Sequence, residues 1–214
     1  MNKLMITLLS LIMMGMLWSE VTYSESLLQK ANNGDAEAQY MIGECYARGE
    51  GVGMDHEEAA NWYLLAAQQG HAEAQYRLGD FYKLGIGVED NENEAEKWYR
   101  LAALQGHAIA QFQLGWCYFW GSGVAEDKKA ALSWYRLSAE QNYPKAQYYL
   151  GKSYYNGEGA MQDNEEAYFW LLLAVADHDE DALHLLDTVQ EKLNSSEQAQ
   201  LLARAAAWLA KNKQ

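Results

Sequence analysis

The chain repeats itself every 36 residues, a property that admits few folds other than a stack of like units. Ala36-Glu37-Ala38-Gln39-Tyr40 returns as Ala72-Glu73-Ala74-Gln75-Tyr76, as Ala108-Ile109-Ala110-Gln111-Phe112 and as Pro144-Lys145-Ala146-Gln147-Tyr148, with no insertion to break the register. Gly43, Gly79, Gly115 and Gly151 form a second column, Tyr46, Tyr82, Tyr118 and Tyr154 a third, and Trp62, Trp98, Trp134 and Trp170 a fourth. A unit this short buries too little surface to stand alone and draws its stability from its neighbours.

Each copy reads as two helices. In the first, helix A, Ala38, Ile42, Cys45 and Tyr46 fall at helical spacing, and Gly49-x-Gly51 ends it with residues suited to positive φ. Asp55, Asn91, Asp127 and Asp163 are then N-caps for helix B, with Glu58, Glu94 and Glu166 placed three residues later as capping boxes. Helix B carries Ala59, Trp62, Tyr63, Ala66 and Ala67 on its apolar face and stops at Gly70, Gly106 or Asn142. The alanines and glycines predict close helix approach, with the tryptophan column filling the space they leave. Four units span 36–71, 72–107, 108–143 and 144–179. A half-repeat at 25–35 precedes them, and capping helices at 180–214 follow, the last opened by a box at Ser195 and Gln198 and serving as a lid.

Composition bounds the function. Sixteen basic against 30 acidic residues leave a formal charge of −14, which argues against a nucleic-acid partner because little would drive counterion release. Half of the acids, 15 of 30, lie in the eleven-residue stretches beginning at Glu50, Ile86, Ser122 and Glu158, where they meet the positive ends of the B helices. Met1-Asn2-Lys3 followed by the apolar run Leu4 to Leu17 reads as a secretory signal within residues 1–24. As a helix that run would reach about 21 Å, short of a bilayer of roughly 30 Å. An uncleaved N-terminal anchor is the alternative. The expectation is a periplasmic or secreted protein with no integral membrane span once the signal is removed.

From Ala72 to His107 the pattern Ala-x-Ala-Gln-x-x-Leu-Gly-x-x-Tyr-x-x-Gly-x-Gly-Val, then Asp, Ala-x-x-Trp-Tyr, Ala-Ala and Gly-His, resembles the Sel1-like repeat. The resemblance covers Ala36 to Asp179. It implies an all-α fold, a right-handed α-solenoid of stacked antiparallel helix pairs of the tetratricopeptide-like kind. It also implies a protein-binding adaptor, as bacterial exported members commonly are. Copy four departs most, with Ala160 in place of Val, Leu171 in place of Tyr and His178 in place of the last Gly.

Chemistry finds few candidates. The Gly-x-Gly at Gly49 follows a helix, not a strand, and recurs in every copy, so it reads as a turn and not a phosphate loop. Cys45 and Cys117 share a column two periods apart, roughly 20 Å in a stack, too far for the approach within about 7 Å that a disulfide needs, and read as buried thiols. His71 and His107 lie in inter-repeat turns and read as structural hydrogen-bonding groups, while the cluster Asp177-His178-Asp179-Glu180-Asp181 with His184 lacks a recognised metal spacing. Some relatives are linked to β-lactam hydrolysis, which makes an envelope enzyme the alternative function. No Ser-x-x-Lys and no Gly-x-Ser-x-Gly stands in the sequence to support it, and no catalytic residue, metal or cofactor is expected.

The positions that the repeat leaves variable are more telling. Three helix-A columns read Met41, Arg77, Gln113, Tyr149; then Glu44, Asp80, Trp116, Lys152; then Arg48, Leu84, Trp120, Asn156. All three are expected to face outward. Copies one and two are charged there, whereas copy three presents Gln113, Trp116 and Trp120 on one helix face, with Tyr149, Lys152 and Asn156 beside them in copy four. Since helix A lines the concave groove of helical-pair solenoids, these six residues are the candidate site for a peptide or protein segment, with acidic rims selecting against acidic partners. The competing reading is that Trp116 or Trp120 only packs on a neighbouring helix.

Overall fold

The structure is a computed structural model, and it describes residues 23–175 and 180–212. The leader reading falls on residues outside this range, as do Asp177, His178 and Asp179 of the acidic cluster. Among the described residues there are eleven helices and no strand. Helix α1 (Glu25–Asn32) precedes four A/B pairs: α2 (Ala36–Arg48) with α3 (His56–Gln68), α4 (Ala72–Leu84) with α5 (Glu92–Leu104), α6 (Ala108–Trp120) with α7 (Lys128–Ala139), and α8 (Pro144–Asn156) with α9 (Asn164–Val175). Helices α10 (Glu180–Gln190) and α11 (Ser195–Asn212) complete the array. Packing runs from each helix to the next from α1 to α10, and α11 packs back on α9, the arrangement of an all-α repeat solenoid closed at one end.

The helix ends follow their local chemistry. Gly49, Gly85, Gly121 and Gly157 close the A helices in the left-handed conformation, and the B helices begin on Asp55, Asn91, Asp127 and Asp163, whose side chains accept backbone N–H bonds. Asn142 takes φ 65°, the place that glycine holds in earlier copies. His71 and His107 prove to be N-caps: each Nδ1 accepts from a backbone N–H three residues on, at 3.1 Å in both cases. The box glutamates act differently from expectation. Glu58 and Glu166 accept from the indoles of Trp62 and Trp170, and Glu94 pairs with Lys97. At α11 the box lies one residue earlier than expected, between Asn194, which accepts from Ser196 and Glu197, and Glu197, which accepts from the Asn194 N–H.

The close approach of A to B is filled by tyrosine, not by the tryptophan column as expected. Tyr63, Tyr99 and Tyr135 are fully buried, and a Cβ built on Gly43, Gly79 or Gly115 would stand 2.6 or 2.7 Å from their rings. Leu171 holds the equivalent place over Gly151 in copy four. Trp62 and Trp134 are only partly buried. Polar rungs tie the copies together: the buried amides of Gln39, Gln75, Gln111 and Gln147 donate to the carbonyls of Ala31, Ala67, Ala103 and Ala139 at 3.0–3.2 Å. The first three also accept from Gln69, Gln105 and Gln141, each at 2.7 Å. Leu201 and Ala205 of α11 are buried in the core of copies three and four, and Arg204 is paired to Glu166 at 2.6 Å.

Candidate binding site

One helix-A column changes its role along the stack. In copy one Glu44 is only 7% exposed; it accepts from the Tyr63 hydroxyl at 2.6 Å and pairs with Arg48 and with Arg77 at 3.3 Å. Asp80 accepts from Tyr99 at 2.6 Å in the same way. The outward orientation expected for this column is therefore wrong in copies one and two, where it faces the A/B seam and satisfies a buried hydroxyl. Burial, reinforced by those carboxylates, raises the Tyr63 and Tyr99 pKa values well above the ordinary range. Copy three has Trp116 at this position, and the fully buried Tyr135 has a hydroxyl with no hydrogen-bond partner among the described residues. Copy four has Leu171 instead of the tyrosine and is left with Lys152 and no hydroxyl to satisfy.

The aromatic residues of α6 and α8 form one connected cluster. Trp116 is half-buried, edge-on to Tyr149 at 5.3 Å and tilted against Trp120 at 5.7 Å between ring centroids. Phe112 meets Tyr149 at 5.5 Å. Two clefts open on either side of Tyr149. The first, about 330 Å³, is bounded by Phe112, Gln113, Trp116 and Tyr149 with Lys83, Lys145, Tyr148 and Asp181. The second, about 220 Å³, is bounded by Trp120, Tyr149, Lys152 and Asn156 with Phe119, Ser153 and Glu158. Lys83 reaches from the preceding copy to donate to Gln113 at 3.3 Å, and Lys152 stands 5.8 Å over the Tyr149 ring.

All six sequence candidates thus border one or other cleft, with Tyr149 on both. Trp116 packs against its neighbours as a cleft wall, while Trp120 is 60% exposed. Lys145 was missed because it belongs to another column of α8, and Lys83 and Asp181 because they lie on other helices. A signal for Lys83 does exist, since side chains 30 residues apart meet repeatedly across copies, as Gln69 meets Gln39 and Lys128 meets Glu158.

Cys45 and Cys117 are buried, and burial pushes the Cys117 thiol up to about 12, which suppresses the thiolate that a nucleophile requires. Among the described residues no group of three His, Cys, Asp or Glu is placed to hold a metal ion, and no helix is long and apolar enough to cross a membrane.

Stacked helix pairs with a cleft along one set of helices define a helical-repeat protein. Its family is set by comparison: the Sel1 repeat model matches residues 36–71, 72–107, 108–143 and 144–179, and the chain belongs to the Sel1 repeat family. Proteins of this class are generally scaffolds for protein interaction. A Sel1 repeat protein from Oxalobacter formigenes of known crystal structure is similar over 75% of this chain and 66% of its own, with 37% identity and a TM-score of 0.71. A second crystal structure, that of c5321, described as a protective antigen present in uropathogenic Escherichia coli strains displaying an SLR fold, is 26% identical over 87% of this chain with a TM-score of 0.59. This chain spans less than two thirds of the first relative and 48% of the second. The search of curated proteins returned no match.

Proposed function

We propose that this chain is an exported binding module that holds a segment of a partner protein along the A helices of copies three and four. One observation carries the reading. In copies one and two the repeat satisfies the helix-B tyrosine with a carboxylate, and copy three gives up that bond to place an indole on the cleft wall. A buried hydroxyl left without a partner costs about 1–3 kcal/mol, so the exchange lowers stability and adds aromatic surface. Departures from a scaffold's own rule are expected where a surface serves a ligand. Partly exposed tryptophan and tyrosine beside Gln113, Lys152 and Asn156 have the composition that interface hot spots favour. The leader composition of Met1 to Leu17 supports export.

The test is affinity capture from an envelope extract with the wild type and with the double variant Trp116→Ala, Trp120→Ala. The variant should remain folded by circular dichroism and lose a protein that the wild type retains. Equal retention by both would make the cleft a packing feature of a spacer.

A further inference from the structure

We infer that the segment held in these clefts is an extended, acidic one, with aromatic or large apolar side chains two residues apart and carboxylates beside them. This rests on the cleft reading above and adds the chemistry of the occupant. The clefts supply the spacing. Along α6 the level of Gln113 and Trp116 lies about five residues before that of Phe119 and Trp120, about 7.5 Å at the helical rise. An extended chain advances about 3.3 Å per residue and points every second side chain to the same face, so residues i and i+2 match the two clefts.

The charge comes from three lysines. Lys83 and Lys145 border the first cleft and Lys152 the second, and among the described residues none of the three lies within ion-pair distance of a carboxylate. This is notable in a chain of net charge −14, where acids outnumber bases almost two to one. Two acids share the clefts. Glu158 is already engaged by Lys128 at 3.1 Å and Asn156 at 3.2 Å, and Asp181 shares the lining of the first cleft with two lysines. Among the described residues the local balance around the clefts is therefore cationic where the molecule as a whole is anionic, the reverse of the acidic rims expected from the sequence, and an acidic segment is the complement. The amines also lie over rings, Lys83 at 6.0 Å from Trp116 and Lys152 at 5.7 Å from Tyr148, poised above the floor that an apolar side chain would cover.

The experiment is selection of a random twelve-residue peptide library displayed on phage against the immobilised full chain. Fluorescence anisotropy of the most enriched peptide then compares the wild type with Lys83→Glu, Lys145→Glu, Lys152→Glu combined and with the Trp116→Ala, Trp120→Ala pair. Enriched peptides should carry Asp or Glu around aromatic residues spaced by two, and the triple charge reversal should weaken binding at least about tenfold. A salt titration of the wild type gives an independent measure, since affinity for an acidic peptide falls as salt rises. Enrichment of basic or neutral peptides, or affinity indifferent to both salt and charge reversal, would overturn the acidic assignment and leave the cleft standing. Failure to enrich any peptide above the tryptophan double variant would overturn the cleft reading and this inference with it.

Discussion

Tyr99 and Tyr135 hold the same place in successive copies and differ in what their hydroxyls meet. Tyr99 donates to Asp80 at 2.6 Å, while Tyr135 has no partner among the described residues. A hydrogen bond to a charged acceptor contributes about 1.5–3 kcal/mol, and removing an unsatisfied hydroxyl costs nothing. Tyr99→Phe should therefore lower stability by about 1.5–3 kcal/mol, whereas Tyr135→Phe should be neutral or slightly stabilising. Urea denaturation midpoints of the two variants check this, and an equal loss in both would mean that Tyr135 has a partner after all, such as an ordered water. At this scale the sequence showed that position 116 differs from 44 and 80 but not why it matters. The hydroxyl that the column serves belongs to a helix-B residue 19 positions later, and only packing brings the two together.

Among the elements, the A/B pairs owe their close contact to a glycine facing a tyrosine ring. Alanine at Gly79 would place its Cβ 2.6 Å from two carbons of the Tyr99 ring, which is itself fully buried and cannot swing aside. Overpacking of this kind costs about 1–3 kcal/mol. Gly79→Ala should lower the melting temperature accordingly, while Gly53→Ala, with nothing within 4 Å of the new methyl, should leave it almost unchanged. Similar melting of the two variants would refute the glycine–tyrosine account. The helices themselves were legible, because caps and stop residues act over three or four positions and need no tertiary information. The filling of the contact was not. Tryptophan and tyrosine are adjacent in every B helix of the first three copies, and periodicity alone does not say which of two neighbours turns inward. Helix α9 shows the same limit at the end of the stack: Tyr168, Phe169, Trp170, Leu171 and Leu173 are all buried, because α10 and α11 cover the face that earlier B helices expose.

For the molecule as a whole, cohesion depends on contacts that pass from copy to copy. His107 is one of them: its Nδ1 accepts from Ala110, so Nε2 carries the proton and donates to Glu73 of the preceding copy at 2.8 Å. That hydrogen bond, helped by the charge of Arg77 against partial burial, holds the Glu73 carboxyl below the usual carboxylate range. A carboxyl with a depressed folded-state pKa stabilises the fold fully above its unfolded value, about 4.3 for glutamate, and ceases to do so as the pH falls through the lower folded value. Glu73→Gln should accordingly melt below the wild type at pH 7, and the gap should close as the pH drops below about 4. Thermal melts across that range measure it, and a gap independent of pH would exclude this linkage. The same cross-copy geometry concentrates lysines around the clefts while the acids gather at the starts of the B helices, so the net charge of −14 is a poor guide to the charge around the clefts.

The sequence by itself determined the all-α repeat architecture, the places where helices begin and end, and the columns in which the copies are free to differ. These follow from periodicity and from capping chemistry, which are local and are repeated in register, so that each copy corroborates the others. The tertiary structure alone decided which face of each column turns inward, that tyrosine and not tryptophan fills the helix contact, that Trp116 stands where a buried hydroxyl needs a carboxylate, and that Lys83 and Lys145 join the aromatic clefts. Each of these depends on side chains from different helices or different copies meeting in space, and a residue's partner across a helix pair or a repeat boundary is fixed by packing, not by its neighbours in the chain.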